Sequence, residues 1–181
     1  KISKTSERKN YYRLCIGDAY IMKSNYDEAF NYYKNVYDNS TLLETNAGIA
    51  AVKIAECFEK KNDIKTTFYW LLKAGITVYE PGYFKLYNFF ETKVEILMKN
   101  KMYDSALKVF VMAKSYLLEM DTAGLLENIS KVKEIILRSL LSAGDCLERL
   151  NQKHIALEYY RLIIQKFPAE AIAIIARKKM S

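Results

Sequence analysis

Turn-forming residues are scarce in this sequence of 181 residues, which holds six glycines and two prolines. An all-β fold of short strands needs far more punctuation, so helix is expected nearly throughout. Cysteine is scarce as well. Cys15, Cys57 and Cys146 form no C-x-x-C pair and no metal-ligand spacing. An odd number of thiols with apolar flanks is expected to be reduced, buried and unreactive, which leans towards a cytoplasmic, reducing compartment. No apolar run approaches the roughly 18 residues of a membrane helix; the longest candidate spans 171–176. Initiator methionine and signal-peptide h-region are both missing, so the chain is expected to be a fragment or a processed product. A removed leader or lipid anchor would place it in the periplasm instead.

Apolar residues make up 51% of the chain, which excludes a disordered polymer and supplies a sizeable core. Lys and Arg outnumber Asp and Glu by 28 to 21, a net charge of +7. That excess and fifteen tyrosines invite a nucleic-acid reading. Position argues against it. Residues 1–9 and Arg177-Lys178-Lys179 each carry a net +3, leaving the body at +1, whereas a groove that tracks phosphates needs its charge on one face. The 22 Lys to 6 Arg, with 17 Ile and 11 Asn, also match what an AT-rich coding sequence yields.

Four stretches overlay on one another. The first runs Gly17-Asp18-Ala19-Tyr20, then Ala29 and Tyr33; the last runs Gly144-Asp145-Cys146-Leu147, then Ala156 and Tyr160. In both, the alanine follows the glycine by twelve and the tyrosine follows the alanine by four. Weaker residues keep the frame between them: Ala55, Phe58, Thr67, Leu71 and Ala74, then Val94, Leu97, Ala106, Phe110 and Ala113. The anchors at 17, 55, 94 and 144 are therefore 38, 39 and 50 apart.

Over residues 10–168 this pattern resembles the tetratricopeptide (TPR) family, whose repeat is 34 residues long. The resemblance implies an all-α, right-handed α-solenoid of antiparallel helix pairs, about four repeats with longer helices than usual. Small residues would let helices A and B of each pair approach, and Tyr20, Tyr33, Phe58, Phe110 and Tyr160 would wedge between pairs. The family's tryptophan slot holds Arg13, Ala51, Phe90 and Leu140. Eight or nine helices are expected, with Asn25, Asp63 and Asp104 as caps and breaks at Pro81-Gly82 and at 121–124. The long third spacing is expected to hold one unusually long helix from about Leu125. Residues 1–9 form a basic extension, and 169–181 form a capping helix or the start of a further repeat, through which the chain could self-associate.

Chemistry is sparse. No G-x-x-x-x-G-K or G-x-G-x-x-G arrangement occurs, His154 falls on the exposed start of a helix B without a partner nucleophile, and acidic pairs fit solvated faces. No enzyme activity, cofactor or metal is expected. The resemblance places the A helices on the concave surface, with the residue after each anchor pointing into it: Asp18, Glu56, Glu95 and Asp145. Four in-line carboxylates imply a groove for a basic or amphipathic protein segment, hence a scaffold or adaptor that assembles a multiprotein complex. The bland alternative is that each pairs with a lysine such as Lys53 or Lys99. The family's clamp for acidic chaperone tails would fall on Leu14, Asp18, Lys53, Asn88 and Thr92, of which only Lys53 fits. The other readings are an RNA-binding helical-repeat protein and a regulatory domain of a larger enzyme.

Overall fold

A computed structural model describes residues 4–181, and among these the secondary structure is helical. Short turns join helices that pack on their sequence neighbours, so consecutive helices run antiparallel. The chain divides into two compact units, Lys1–Asn88 and Phe89–Ser181.

The first unit contains α1 (Lys4–Met22), α2 (Tyr26–Asp38), α3 (Thr45–Lys60), α4 (Ile64–Gly75) and most of α5 (Glu80–Phe89). α1 packs on α2, α2 on α3 and α3 on α4, and α1 also touches α3. α3 is the central element because it is small on every side: Ala47, Gly48, Ala50, Ala51 and Ala55 are all buried. Ala29, Tyr33 and Val36 of α2 face it from one side, Phe68, Leu71 and Leu72 of α4 supply bulk, and all but Leu71 are completely covered. Two caps form as expected. Asn25 Oδ1 accepts from the Glu28 N–H at 3.2 Å, and Asp63 Oδ1 accepts from the Thr66 N–H at 3.0 Å. Pro81 occupies the first turn of α5, where its missing N–H costs no helical bond. Gly82 is required there because a Cβ would meet the Ala74 carbonyl oxygen at 2.7 Å.

The second unit opens with a π-helical turn, Phe90–Val94, followed by α6 (Glu95–Lys99) and α7 (Tyr103–Thr122). A 3-10 segment, Leu126–Lys131, leads to α8 (Lys133–Arg149), α9 (Lys153–Lys166) and α10 (Ala171–Met180). α7 packs on α8, α8 on α9 and α9 on α10, and α8 also touches α10. Counting the continuous helical run 80–99 once, the described residues contain nine α-helices, within the expected range.

All eight paired anchors are buried: Gly17, Ala55, Val94 and Gly144 on the A helices, and Ala29, Thr67, Ala106 and Ala156 on the B helices. A signal invisible in the residue types confirms the register. Seven residues after each anchor the backbone turns left-handed, at Ser24, Asn62, Lys101 and Asn151, with φ of 56, 57, 57 and 60°. The next N–H in each case, from Asn25, Asp63, Met102 and Gln152, donates to the carbonyl of Tyr20, Phe58, Leu97 and Leu147 at 2.9, 2.9, 2.9 and 2.7 Å. Four A helices thus end in one Schellman-type turn, without glycine at any of the left-handed positions.

Several expectations need correction. Asp104 lies within the first turn of α7, and Met102 occupies the cap position without a side-chain bond. The third spacing holds no single long helix; α7 of 20 residues ends at Thr122, Gly124 follows with a φ of 69°, and the 3-10 segment intervenes before α8. Tyr33, Phe110 and Tyr160 are buried wedges, whereas Tyr20 and Phe58 are half-buried and pack on Tyr32 and Phe30 at 5.5 and 5.6 Å. Residues 4–9 of the basic extension are the first turns of α1, and residues 1–3 lie outside the described residues. Among the described residues no helix is long and apolar enough to cross a membrane.

Candidate functional site

The four carboxylates singled out by the repeat frame stand on A-type elements, Asp18 on α1, Glu56 on α3, Glu95 at the start of α6 and Asp145 on α8. Their side chains retain 46, 43, 26 and 34% of their exposure, and each is engaged by a cation from within its own unit.

In the first repeat the arrangement begins at Gly17. A Cβ there would collide with the Tyr33 ring, so the absence of a side chain admits the ring of the buried tyrosine. Tyr33 then reaches past the glycine, and its hydroxyl donates to Asp18 Oδ1 at 2.6 Å. Lys53 Nζ, from the following A helix, donates to the same oxygen at 2.5 Å and lies 5.7 Å from the Tyr33 ring centroid. Burial, reinforced by the bond to Asp18, raises the Tyr33 phenol well above its ordinary range. Tyr33 therefore stays neutral and keeps its donor.

The last repeat builds the same cluster. Gly144 admits the Tyr160 ring, the Tyr160 hydroxyl donates to Asp145 Oδ1 at 3.0 Å, and Lys179 Nζ lies 2.9 Å from that oxygen. Lys53 follows Asp18 by 35 residues and Lys179 follows Asp145 by 34, so α10 contributes its lysine as α3 does. Lys179 also meets Glu148 at 3.3 Å, and its pKa is raised, chiefly by the bond to Asp145. Burial, then the Asp145 charge, raises Tyr160 in the same sense as Tyr33. A cavity of about 320 Å³ adjoins this cluster, bounded by Met98, Tyr103, Asp145, Glu148, Arg149 and Lys179.

The middle carboxylates are held differently. Glu56 accepts from Lys85 of α5. Glu95 and Glu91, one turn apart, take the two arms of the Arg138 guanidinium, whose plane also covers the Phe90 ring at 4.8 Å. The tyrosine position in these repeats holds Leu71 and Phe110, which have no hydroxyl to offer.

The pairing partners Lys85, Arg138 and Lys179 were not foreseen, and only Lys53 was. For Lys179 a signal exists, the recurrence of a lysine 34 to 35 residues after the Gly-Asp pair. For Arg138 none does, because the π turn alters the offset. His154 is exposed. Of the thiols, Cys57 and Cys146 are buried, and burial pushes them up to about 11 and about 12. Cys15 departs from expectation: it lies on the outward side of α1 and is exposed, because only one side of the first helix is covered.

Geometry and sequence comparison agree on the class. Residues 2–78 match the SusR N-terminal TPR domain family, and residues 138–169 match a tetratricopeptide repeat family. The chain is a TPR-repeat protein, and TPR domains typically mediate protein–protein interactions. Between the two matches the repeat frame rests on the turn at Lys101 and the buried pair Val94 and Ala106. No curated protein matches the chain.

Proposed function

We infer that the chain is a non-enzymatic adaptor which holds a basic or amphipathic segment of a protein partner on its A-helix carboxylates, Asp18 and Glu56 in the first unit and Glu95 and Asp145 in the second. One observation carries the reading: the same slot is acidic in four repeats, and in each it is a carboxylate that holds an ammonium or guanidinium. A partner's lysine or arginine therefore exchanges one cation for another. The exchange is inexpensive because half-exposed ion pairs contribute only about 0 to 1 kcal/mol each. At Asp18 and Asp145 the tyrosine hydroxyls keep the carboxylate oriented while the lysine is exchanged.

The test uses a fluorescein-labelled Lys/Leu amphipathic peptide and a single-stranded RNA of similar length, each titrated at several salt concentrations. Peptide binding should weaken when Asp18, Glu56, Glu95 and Asp145 are all replaced by Asn or Gln, and strengthen in Lys53→Met with Lys179→Met. RNA binding with a steep salt slope, together with peptide binding that ignores the four carboxylates, would overturn the reading in favour of the nucleic-acid alternative. The description of the first match as an N-terminal domain favours a second reading, an array that serves a further part of a longer protein. The complete gene sequence decides that point.

A further inference from the structure

Between Asn10 and Met22 the charged residues of α1, Arg13 and Asp18, turn inward or aside. Arg13 donates to Asn10 Oδ1 at 3.4 Å, and Asp18 is held by Tyr33 and Lys53. The outward surface of the helix is left to Tyr11, Tyr12, Cys15, Ile16, Ala19 and Met22, all exposed. Three of them occupy positions that are covered elsewhere in the molecule. Tyr12 and Ile16 precede the anchor Gly17 by five and one, and Ala19 follows it by two. The same positions hold Ala50, Ile54 and Cys57 on α3 and Ser139, Ala143 and Cys146 on α8, none more than 1% exposed, because α2 packs over α3 and α7 over α8. On α1, Tyr12 is 62% and Ile16 41% exposed. The third repeat offers no comparison, since its π turn falls among these positions.

The seating of α2 on the second repeat shows what such a seam receives. Asp27, in the first turn of α2, takes the ammonium of Lys61, and Phe30 meets the Phe58 ring edge-on at 5.6 Å. Lys61 and Phe58 follow the anchor Ala55 by six and three, and the first repeat has Lys23 and Tyr20 at those offsets. The third and fourth repeats have Asn100 and Leu150 in place of the lysine, so the first two share a feature that the others lack. Lys23 is exposed and meets no carboxylate among the described residues. The first repeat therefore carries the apolar positions and the cation of a seam that receives a helix, without the helix.

We propose that this seam of α1 docks an amphipathic helix of a partner protein, with an acidic residue in its first turn for Lys23 and a stripe of small and aromatic residues for Tyr12, Ile16 and Ala19. Most of the affinity comes from the apolar stripe, because Tyr12 and Ile16 have large side chains to remove from water. The rim ion pair sets direction instead. An acidic first turn at the Lys23 end makes the partner helix run antiparallel to α1, as α2 runs to α3. A second copy of the chain fits the seam less well, since antiparallel pairing of α1 with α1 brings Lys23 towards Arg8 and Lys9 of the other copy. The seam makes no use of the Asp18 carboxylate, which Tyr33 and Lys53 already engage.

The probe is the chain's own α2 segment, a fluorescein-labelled and amidated peptide of residues 25–39 that keeps Asn25 as its cap, titrated with the full chain and followed by anisotropy. Saturable binding is expected, lost in Ile16→Asp and about threefold weaker in Lys23→Glu. A peptide carrying Asp27→Lys should reverse that order and bind the Lys23→Glu chain better than the parent, which a merely structural lysine would not produce. Circular dichroism verifies the fold of each variant, and Ala19→Lys takes the place of Ile16→Asp if that variant does not fold. The proposal is overturned if the parent chain shows no saturable binding, or if the folded seam variants bind the peptide as tightly as the parent. Sedimentation equilibrium supplies the other arm. A chain that dimerises without peptide and becomes monomeric in Ile16→Asp overturns the proposal in favour of a second copy on the seam.

Discussion

The first and last repeats are built alike, and the two between them are not. At Gly17 and Gly144 a missing side chain lets a tyrosine ring through, and its hydroxyl meets the aspartate one residue on. Where the anchor is Ala55 or Val94 the facing residue is Leu71 or Phe110, no hydroxyl arrives, and the glutamate turns to a cation at a different offset. The difference teaches that the volume of one buried residue decides whether a polar network forms beside it. Glycine here serves close approach, at ordinary helical backbone angles.

The sharpest way to break that likeness is to fill the glycine slots. Gly17→Val and Gly144→Val should each lower stability by about 3 kcal/mol, because a buried aromatic ring has nowhere to go. Chemical denaturation of the two variants checks this, and similar losses are expected in both. Removing only the hydroxyl tests the network itself. Tyr33→Phe and Tyr160→Phe should each cost about 1 kcal/mol, below the usual value for a bond to a charged group because both aspartates are partly solvated. Phe110→Tyr, which adds a hydroxyl where the anchor is Val94, should bring no such gain.

The thiols extend the comparison to solvent exposure and pH. Cys15 should react with a thiol reagent under native conditions within the mixing time, while Cys57 and Cys146 react only as fast as the protein opens; mass spectrometry after timed quenching distinguishes them. Their folded pKa values, about 11 and about 12, lie above the ordinary 9.0 of a free thiol. The neutral form is thus favoured by folding. That stabilisation is complete below pH 9 and is lost as pH rises through 11 to 12. Melting temperature should fall across that window, and less steeply in Cys57→Ala. The smallest expected effect lies in the turns. Ser24→Gly and Lys101→Gly should each stabilise by about 0.5 kcal/mol, since glycine adopts the left-handed conformation without strain. The same change at Asn62 or Asn151 should gain less, because asparagine tolerates that conformation.

Much of the fold was legible. Gly17, Ala29, Gly144 and Ala156 stand at offsets that only a repeated helix pair explains, and the weaker anchors Ala55, Thr67, Val94 and Ala106 are buried as their register required. The break within 121–124 was legible, and it falls at the turn 123–124, but the 3-10 segment after it was not, because Leu126–Lys131 carries no strong turn residue. Asp104 resembled a cap by residue type, yet capping depends on backbone angles that composition does not reveal. The candidate carboxylates were identifiable by slot. Lys53 was identifiable as a partner and Lys179 recurs at nearly the same offset, but Lys85 and Arg138 were not legible, since they lie 29 and 43 residues from the groups they meet.

By itself, then, the sequence determined the helices, their pairing and the register of the repeat, because burial along a helix imposes a local period that residue types display directly. The tertiary structure alone decided that Cys15 faces outward, that each of the four slot carboxylates is paired with a cation of its own chain, and that Lys73 sits among three rings. Those outcomes depend on which side of a helix its neighbours cover and on which long side chains packing brings within a few ångströms. Both are set by contacts between segments far apart along the chain.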